Sequence, residues 1–205
     1  MPLSHVLSAQ GTYPFVRIER AKREAAEAGI EILDFGQGDP REPTDPAIRQ
    51  ALVDGLRERM GYPKAEGLPE LRAAIADWFE RRFGVALDPD TDVIPTYGSK
   101  EAIFSFAQLI VDPNGDKDTV VVTEPGYPVP ARGAAFAGAR LETLPLVESN
   151  GFLPDLEAVD DWDRIALFWV NYPNNPTGAT APLDFYERLA ELAREHGFFL
   201  CSDEA

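Results

Sequence analysis

With 205 residues, 44% of them hydrophobic and 26% charged, the chain has the composition of a globular protein of one or two domains with a sizeable core. Its formal net charge of -16 argues against a nucleic-acid partner, and any anionic ligand must be held by a local site working against the global field. The single cysteine, Cys201, excludes an internal disulfide and suits a reducing cytoplasm, while no apolar run approaches a membrane span and the amino terminus lacks a basic-then-apolar signal pattern.

Tyr13-Pro14-Phe15 leads into apolar positions at Ile18, Ala21, Ala25 and Ala28, which predict a helix stopped by Gly29. Glu31 to Phe35 reads as a short strand. The loop Gly36-Gln37-Gly38-Asp39-Pro40 follows, a plain turn or a place where backbone approaches a ligand. Asp45 and Pro46 open a second helix expected to run to about Arg59. After the loop Met60 to Gly67, the spacing of Leu71, Ile75, Trp78 and Phe79 predicts a helix that Gly84 ends.

From Asp92 onward strand and helix alternate. Strands are predicted at Val93 to Thr96, Thr119 to Thr123, Arg140 to Leu144, Arg164 to Val170 and Phe198 to Ser202. Helices are predicted at Lys100 to Ile110, Tyr127 to Ala137 and Pro182 to His196, and residues 150–161 form a connector. Continuous apolar strands alternating with helices imply an α/β fold, a three-layer, mostly parallel sheet with helices on both faces. The division is expected at about residue 40, with an N-terminal arm over 1–40 and a large domain over 41–205.

Three loops carry residues suited to binding. Gly98-Ser99 opens a helix, where free N–H groups and the positive end of the dipole make a phosphate site, although Ser99 could equally be a simple cap. Pro173 and Pro176 stiffen the loop after Val170, and Asn174 and Asn175 bring amide donors to the carboxyl end of a strand, where ligands bind in open α/β sheets. Asp203 stands at the end of the apolar run Phe198-Phe199-Leu200. His5 and His196 fit no metal or catalytic spacing, and His196 suits the dipole at a helix end.

Asn174-Asn175-Pro176-Thr177-Gly178 after a hydrophobic strand, Gly98-Ser99-Lys100-Glu101-Ala102-Ile103, Leu68-Pro69-Glu70-Leu71-Arg72 and the closing Cys201-Ser202-Asp203-Glu204-Ala205 resemble the blocks of the class I/II aminotransferases, fold-type I enzymes dependent on pyridoxal 5'-phosphate (PLP). The resemblance runs from about Tyr13 to the last residue. It implies the large domain of a PLP-transferase, incomplete at its C-terminus, and transfer of an amino group between an amino acid and a 2-oxo acid. The Tyr13-Pro14-Phe15 and Asn150-Gly151-Phe152-Leu153-Pro154-Asp155 stretches look most like succinyldiaminopimelate aminotransferases of lysine synthesis.

Within the resemblance, Ser99 and Lys100 belong to the block that binds the cofactor phosphate, and Tyr127 is the aromatic that stacks on the pyridine ring. Asn175 bonds the ring hydroxyl and approaches the substrate carboxylate. Asp203 meets the ring nitrogen, where a buried carboxylate favours the cationic, electron-accepting ring. Gly38 lies against the substrate carboxylate, and Tyr62 reaches the phosphate held by the neighbouring subunit of a homodimer. Lys100 sits at the phosphate end, wrong for the family's Schiff-base lysine. That lysine lies a few tens of residues beyond such an aspartate. The 205-residue chain is therefore expected to be inactive by itself, and its reading frame to continue past Ala205. A PLP-dependent C–S lyase of the same fold, or a non-catalytic PLP-binding module, remain alternative readings of the same blocks.

Overall fold

The helices begin and end where backbone chemistry dictates. In the computed structural model, which describes residues 3–11, 14–34, 38 and 42–204, α1 covers His5–Ala9, α2 Pro14–Glu27 and α3 Pro46–Asp54. The following helix, α4 (Pro69–Phe83), starts with proline in its first turn and stops at left-handed Gly84. Then come α5 (Ser99–Ile110), β1 (Thr119–Glu124), α6 (Val129–Ala137), β2 (Arg140–Pro145), β3 (Ile165–Asn171), α7 (Leu183–His196) and β4 (Phe199–Asp203). Three short 3-10 turns at Glu148–Asn150, Leu156–Ala158 and Trp162–Arg164 fill the connector before β3. One compact unit ends at Pro63 and a second begins at Lys64. The boundary expected near residue 40, Tyr13, Phe35, most of the Gly36 to Pro40 loop and Ala205 lie outside the described residues.

Three expected elements differ. The second helix, α3, ends at Asp54 rather than near Arg59. Glycine is a poor helix former, and the helix closes there: the Gly55 N–H donates to the Ala51 carbonyl and the Leu56 N–H to the Val53 carbonyl. Residues 31–34 form no strand; Asp34 is instead tied to α2 by an ion pair with Lys22 at 2.8 Å. Residues 93–96 form no strand either. Pro95 sits in their middle without an N–H, so a ladder is interrupted there. The short helix α1, capped by the Ser4 hydroxyl, was not expected from periodicity.

All four strands are parallel, in the order β2-β1-β3-β4. The chain builds outward from β1 to β2, then crosses to the other side of β1 for β3 and β4. The switch point therefore lies between β1 and β3. One side of the sheet carries Val121, Phe168, Val170 and Leu200 against Phe185, Leu189 and Leu192 of α7. The other carries Val120, Val122, Leu167 and Trp169 against Ile103 and Ala107 of α5 and Ala134 of α6.

Between β1 and β3 the register slips by one residue: Thr119 faces Ile165 but Val120 faces Leu167, so Ala166 bulges out. Because side chains alternate along a strand, this slip reverses the phase of everything after it. It turns Leu167, Trp169 and, by alternation, Asn171 toward the α5 side.

Two local ties hold the layers. Lys117 donates from Nζ to the carbonyl oxygens of Asp163 (3.2 Å), Ile165 (3.2 Å) and His196 (2.5 Å), closing the C-terminal end of α7 onto the start of β3. The same end carries His196, whose Nδ1 lies 2.8 Å from Asp163 Oδ1. Tyr172, just past β3, donates its hydroxyl to the Phe152 carbonyl at 2.8 Å. Phe152 is the one non-glycine residue with positive φ (58°) among the described residues, so this bond holds a backbone shape that L-residues rarely take.

Packing of α6 on α5 depends on Gly133, where a Cβ would lie 2.5 Å from the Phe104 carbonyl oxygen. Gly133→Ala is expected to lower the unfolding free energy by about 1–3 kcal/mol, the usual cost of an added methyl group in a packed contact; an unchanged denaturant midpoint would contradict this. Burial pushes the Tyr172 phenol from 10.0 up to about 12. The raised value means the folded state keeps a proton that the unfolded state loses. Its contribution is complete below pH 10 and disappears as pH rises toward 12. Stability measured from about pH 9 to 12 should therefore fall less steeply in Tyr172→Phe than in the parent.

Candidate active site

The carboxyl ends of β1, β3 and β4 meet on the α5 side of the sheet. Between β1 and β3, at the switch point, a small cavity is lined by Thr123, Tyr127, Pro130, Trp169, Asn171 and Asp203. Beside it, between α5 and β4, lies an open cleft of about 360 Å³ lined by residues that include Ser99, Phe106, Trp169, Cys201 and Asp203. That volume falls in the range of small-molecule and cofactor sites. Trp169 and Asp203 line both spaces and form the wall between them.

Each side chain arrives there for a local reason. Asp203 is the last residue of β4 and pairs in register with Asn171 of β3. It is only 8% exposed, so a carboxylate is carried into a largely apolar surround at the strand end. Ser99 is the first residue of α5. Gly98 before it has φ +83°, which a residue with a Cβ rarely adopts, and it makes no side-chain cap. Ser99 is thus not the cap of its own helix, which removes the plain capping explanation for its hydroxyl. The Tyr97 N–H donates to Glu101 Oε2 at 2.6 Å, fastening the turn that precedes α5. The Glu101 N–H turns back to the Gly98 carbonyl at 3.2 Å, and this end of the cleft carries the positive pole of the helix.

Asn174 knots its loop. Its Oδ1 accepts from the Thr177 N–H (3.2 Å) and hydroxyl (2.7 Å), its own N–H donates to the Ala179 carbonyl (2.8 Å), and its carbonyl accepts from Gly178 N–H (2.7 Å). Asn175 is attached differently: its N–H donates to Asn171 Oδ1 at 2.8 Å, leaving an exposed side chain. Trp169 Nε1 is buried and has no hydrogen-bond partner among the described residues, so one wall of the cleft holds an unused donor. Cys201 lines the cleft too, but burial pushes its thiol up to about 12. It stays protonated near neutrality and does not supply a thiolate.

The structure thus gathers Ser99, Tyr127 and Asp203 around adjoining spaces, with the Asn175 backbone bonded to the residue paired with Asp203. Lys100 follows Ser99 on an exposed position of α5. Gly38 and Tyr62 belong to the first unit; Gly38 is exposed and Tyr62 is 97% exposed. No cluster of three or more His, Cys, Asp or Glu suited to a metal occurs among the described residues. No helix among them is long and apolar enough to cross a membrane. The sequence reading passed over Trp169 and Asn171. A signal for Asn171 existed: it is the polar residue that ends an otherwise apolar strand.

Residues 30–205 match the family described as aminotransferase class I and II. The chain is 43% identical over 197 residues to an LL-diaminopimelate aminotransferase of Aquifex aeolicus, covering 94% of this chain and 50% of that protein. It is 42% identical over 207 residues to another of that name from Dehalococcoides mccartyi, covering 99% and 53%. Among solved structures, aspartate aminotransferase from Thermus thermophilus with maleate superposes with a TM-score of 0.85 at 34% identity, covering 100% of this chain and 53% of that one. A probable N-succinyldiaminopimelate aminotransferase, also from Thermus thermophilus, superposes with a TM-score of 0.83 at 34% identity, covering 92% and 51%. The chain spans about half the length of the curated relatives it matches. With the parallel sheet, the helix-capped cleft and the buried aspartate at its strand end, these matches carry one conclusion: the chain belongs to the class I and II aminotransferases.

Proposed function

We propose that this chain forms the cofactor-holding half of a PLP-dependent aminotransferase that moves an amino group between an amino acid and a 2-oxo acid of the diaminopimelate type. The family is PLP-dependent, and the relatives above are named for diaminopimelate or its succinyl derivative. The observation that carries the reading is the polarity of the cleft. The positive end of α5 stands at Ser99, a buried carboxylate at Asp203, and an unpartnered indole N–H between α5 and the sheet. Such a cleft suits a ligand with an anionic group at one end and a protonated ring nitrogen at the other.

When bound, PLP supplies an electron sink for charge developing at the amino-acid α-carbon. In this reading Ser99, Lys100 and the first amides of α5 bind the phosphate. Tyr127 lies against the ring face, Asn175 donates to the ring hydroxyl, and Asp203 holds the proton on the ring nitrogen by its charge. Gly38 serves the substrate carboxylate. Tyr62 serves the phosphate of a neighbouring subunit in a homodimer.

Two outcomes test the reading in the full-length protein. Asp203→Ala should keep phosphate recognition but lose activity by about 100-fold or more, the scale for removing a preorganised charge or donor. Near-normal turnover would remove Asp203 from its role. Ser99→Ala should weaken PLP binding by about 10- to 100-fold, the worth of a hydrogen bond to a charged group. For Tyr62, subunits carrying Tyr62→Phe should regain PLP affinity when mixed with subunits disabled at the covalent lysine, because mixed dimers rebuild one intact site. Titration showing no recovery would place Tyr62 outside a shared site.

A further inference from the structure

We propose that Asn171 is the positioning residue of the cofactor ring, one side-chain amide setting the distance between Asp203 and Asn175. The inference rests on the cofactor reading above and concerns how this chain holds two of its groups. Asn171 Nδ2 donates to the Asp203 carbonyl at 2.8 Å, and Asn171 Oδ1 accepts from the Asn175 N–H at 2.8 Å. Both ends of the amide are used, and each finds the complementary group. A flipped amide would set donor against donor and acceptor against acceptor, so the orientation is determined.

The need for this amide follows from the backbone. The β3–β4 ladder ends at the Asn171–Asp203 pair. Two residues on, Pro173 has no N–H with which the main chain of β3 could extend it. The side chain of Asn171 takes over as donor to Asp203, holding the strand end where the carboxylate is needed. On the other side, Asn174 closes the 174–179 loop upon itself, so the loop behaves as one small rigid body. The Asn171–Asn175 bond fastens that body to the end of β3. One amide therefore joins the piece that carries Asp203 to the piece that carries Asn175. Neither of these two partners of Asn171 lies on α5, so Ser99 is held independently. Asn171 is half-buried in the wall of the small cavity rather than in the cleft that Ser99 lines.

This independence makes the proposal testable with two probes, PLP and pyridoxal, which has the ring without the phosphate. The variants, in full-length protein, are Asn171→Ala, Asn171→Asp, Ser99→Ala and Asp203→Asn. Asn171→Asp keeps an acceptor for the Asn175 N–H but turns an oxygen toward the Asp203 carbonyl. Dissociation constants come from absorbance titration, together with the pH midpoint of the bound cofactor's visible band. Both Asn171 variants should weaken pyridoxal and PLP by the same factor, about tenfold, the scale of one or two hydrogen bonds. They should move the pH midpoint in the direction that Asp203→Asn moves it. Ser99→Ala should weaken PLP alone and leave the midpoint in place. If Asn171→Asp is folded with parental constants and an unmoved midpoint while Asp203→Asn shifts both, Asn171 does not position the ring and the proposal fails alone. If Asp203→Asn also leaves both unchanged, the cofactor reading falls and takes the proposal with it. A general loss of packing would lower the unfolding midpoint without a matched shift in the pH midpoint, and that too would overturn it.

Discussion

The site depends on the phase of β3. Its residues are buried on both faces, so the sequence alternates two apolar sets, Phe168 and Val170 for the α7 side and Leu167 and Trp169 for the α5 side. The bulge at Ala166 decides which set faces which helix. Without it the pairing of Val120 with Ala166 would continue, Leu167 and Trp169 would turn toward α7, and Asn171 and Asp203 would face away from Ser99. Each large side chain misplaced in this way forfeits about 1.5–3 kcal/mol of burial. Register is therefore enforced by packing far below the site, and the chemistry at the strand ends inherits it. The close approach at Gly133 acts in the same direction, seating α6 on α5 and so steadying the helix whose first residue is Ser99.

Electrostatics works locally against the whole. The chain carries a formal net charge of -16, a poor field for a phosphate. The N-terminus of α5 offers oriented amides at short range, where a fixed dipole outweighs distant charges screened beyond about 10 Å. At the other end of the cleft the acidic character is local too, with Asp203 only 8% exposed at the end of its strand. The two features that the proposed reading uses to orient a dipolar ligand are each ordinary: a helix start and a strand end.

Much of this was legible in the sequence because it rests on local rules. Left-handed Gly84 and Gly197 stop α4 and α7 as read, the apolar runs became β1, β3 and β4, and the alternation of elements became a parallel sheet. Ser99 could be singled out by its place at a helix start, whereas Tyr127 and Asp203 were named by the resemblance of their blocks to those of the aminotransferases. What was not legible depended on neighbours. Residues 93–96 have strand-like composition but no partner strand among the described residues. The Ala166 bulge is a relation between two strands and leaves no mark in either alone. Asn171 looked like the last residue of a strand; that its amide joins two others is a fact of the β3–β4 register.

Trp169 shows where the fold accepts a cost. An unpartnered buried N–H loses about 1–3 kcal/mol relative to a satisfied one, and a phenylalanine would fill similar space without that loss. The other buried donors without partners, Arg72 Nε and Asn174 Nδ2, belong to side chains that are otherwise bonded. The indole has a single polar atom, and it is the one left over. It lies in the wall shared by both spaces beside Asp203. Local rules are broken most often near functional sites, and the ring around this buried donor lines the spaces where the carboxylate and the helix start converge. The exception to good packing and the candidate site thus coincide, which a purely structural account of Trp169 would leave unexplained.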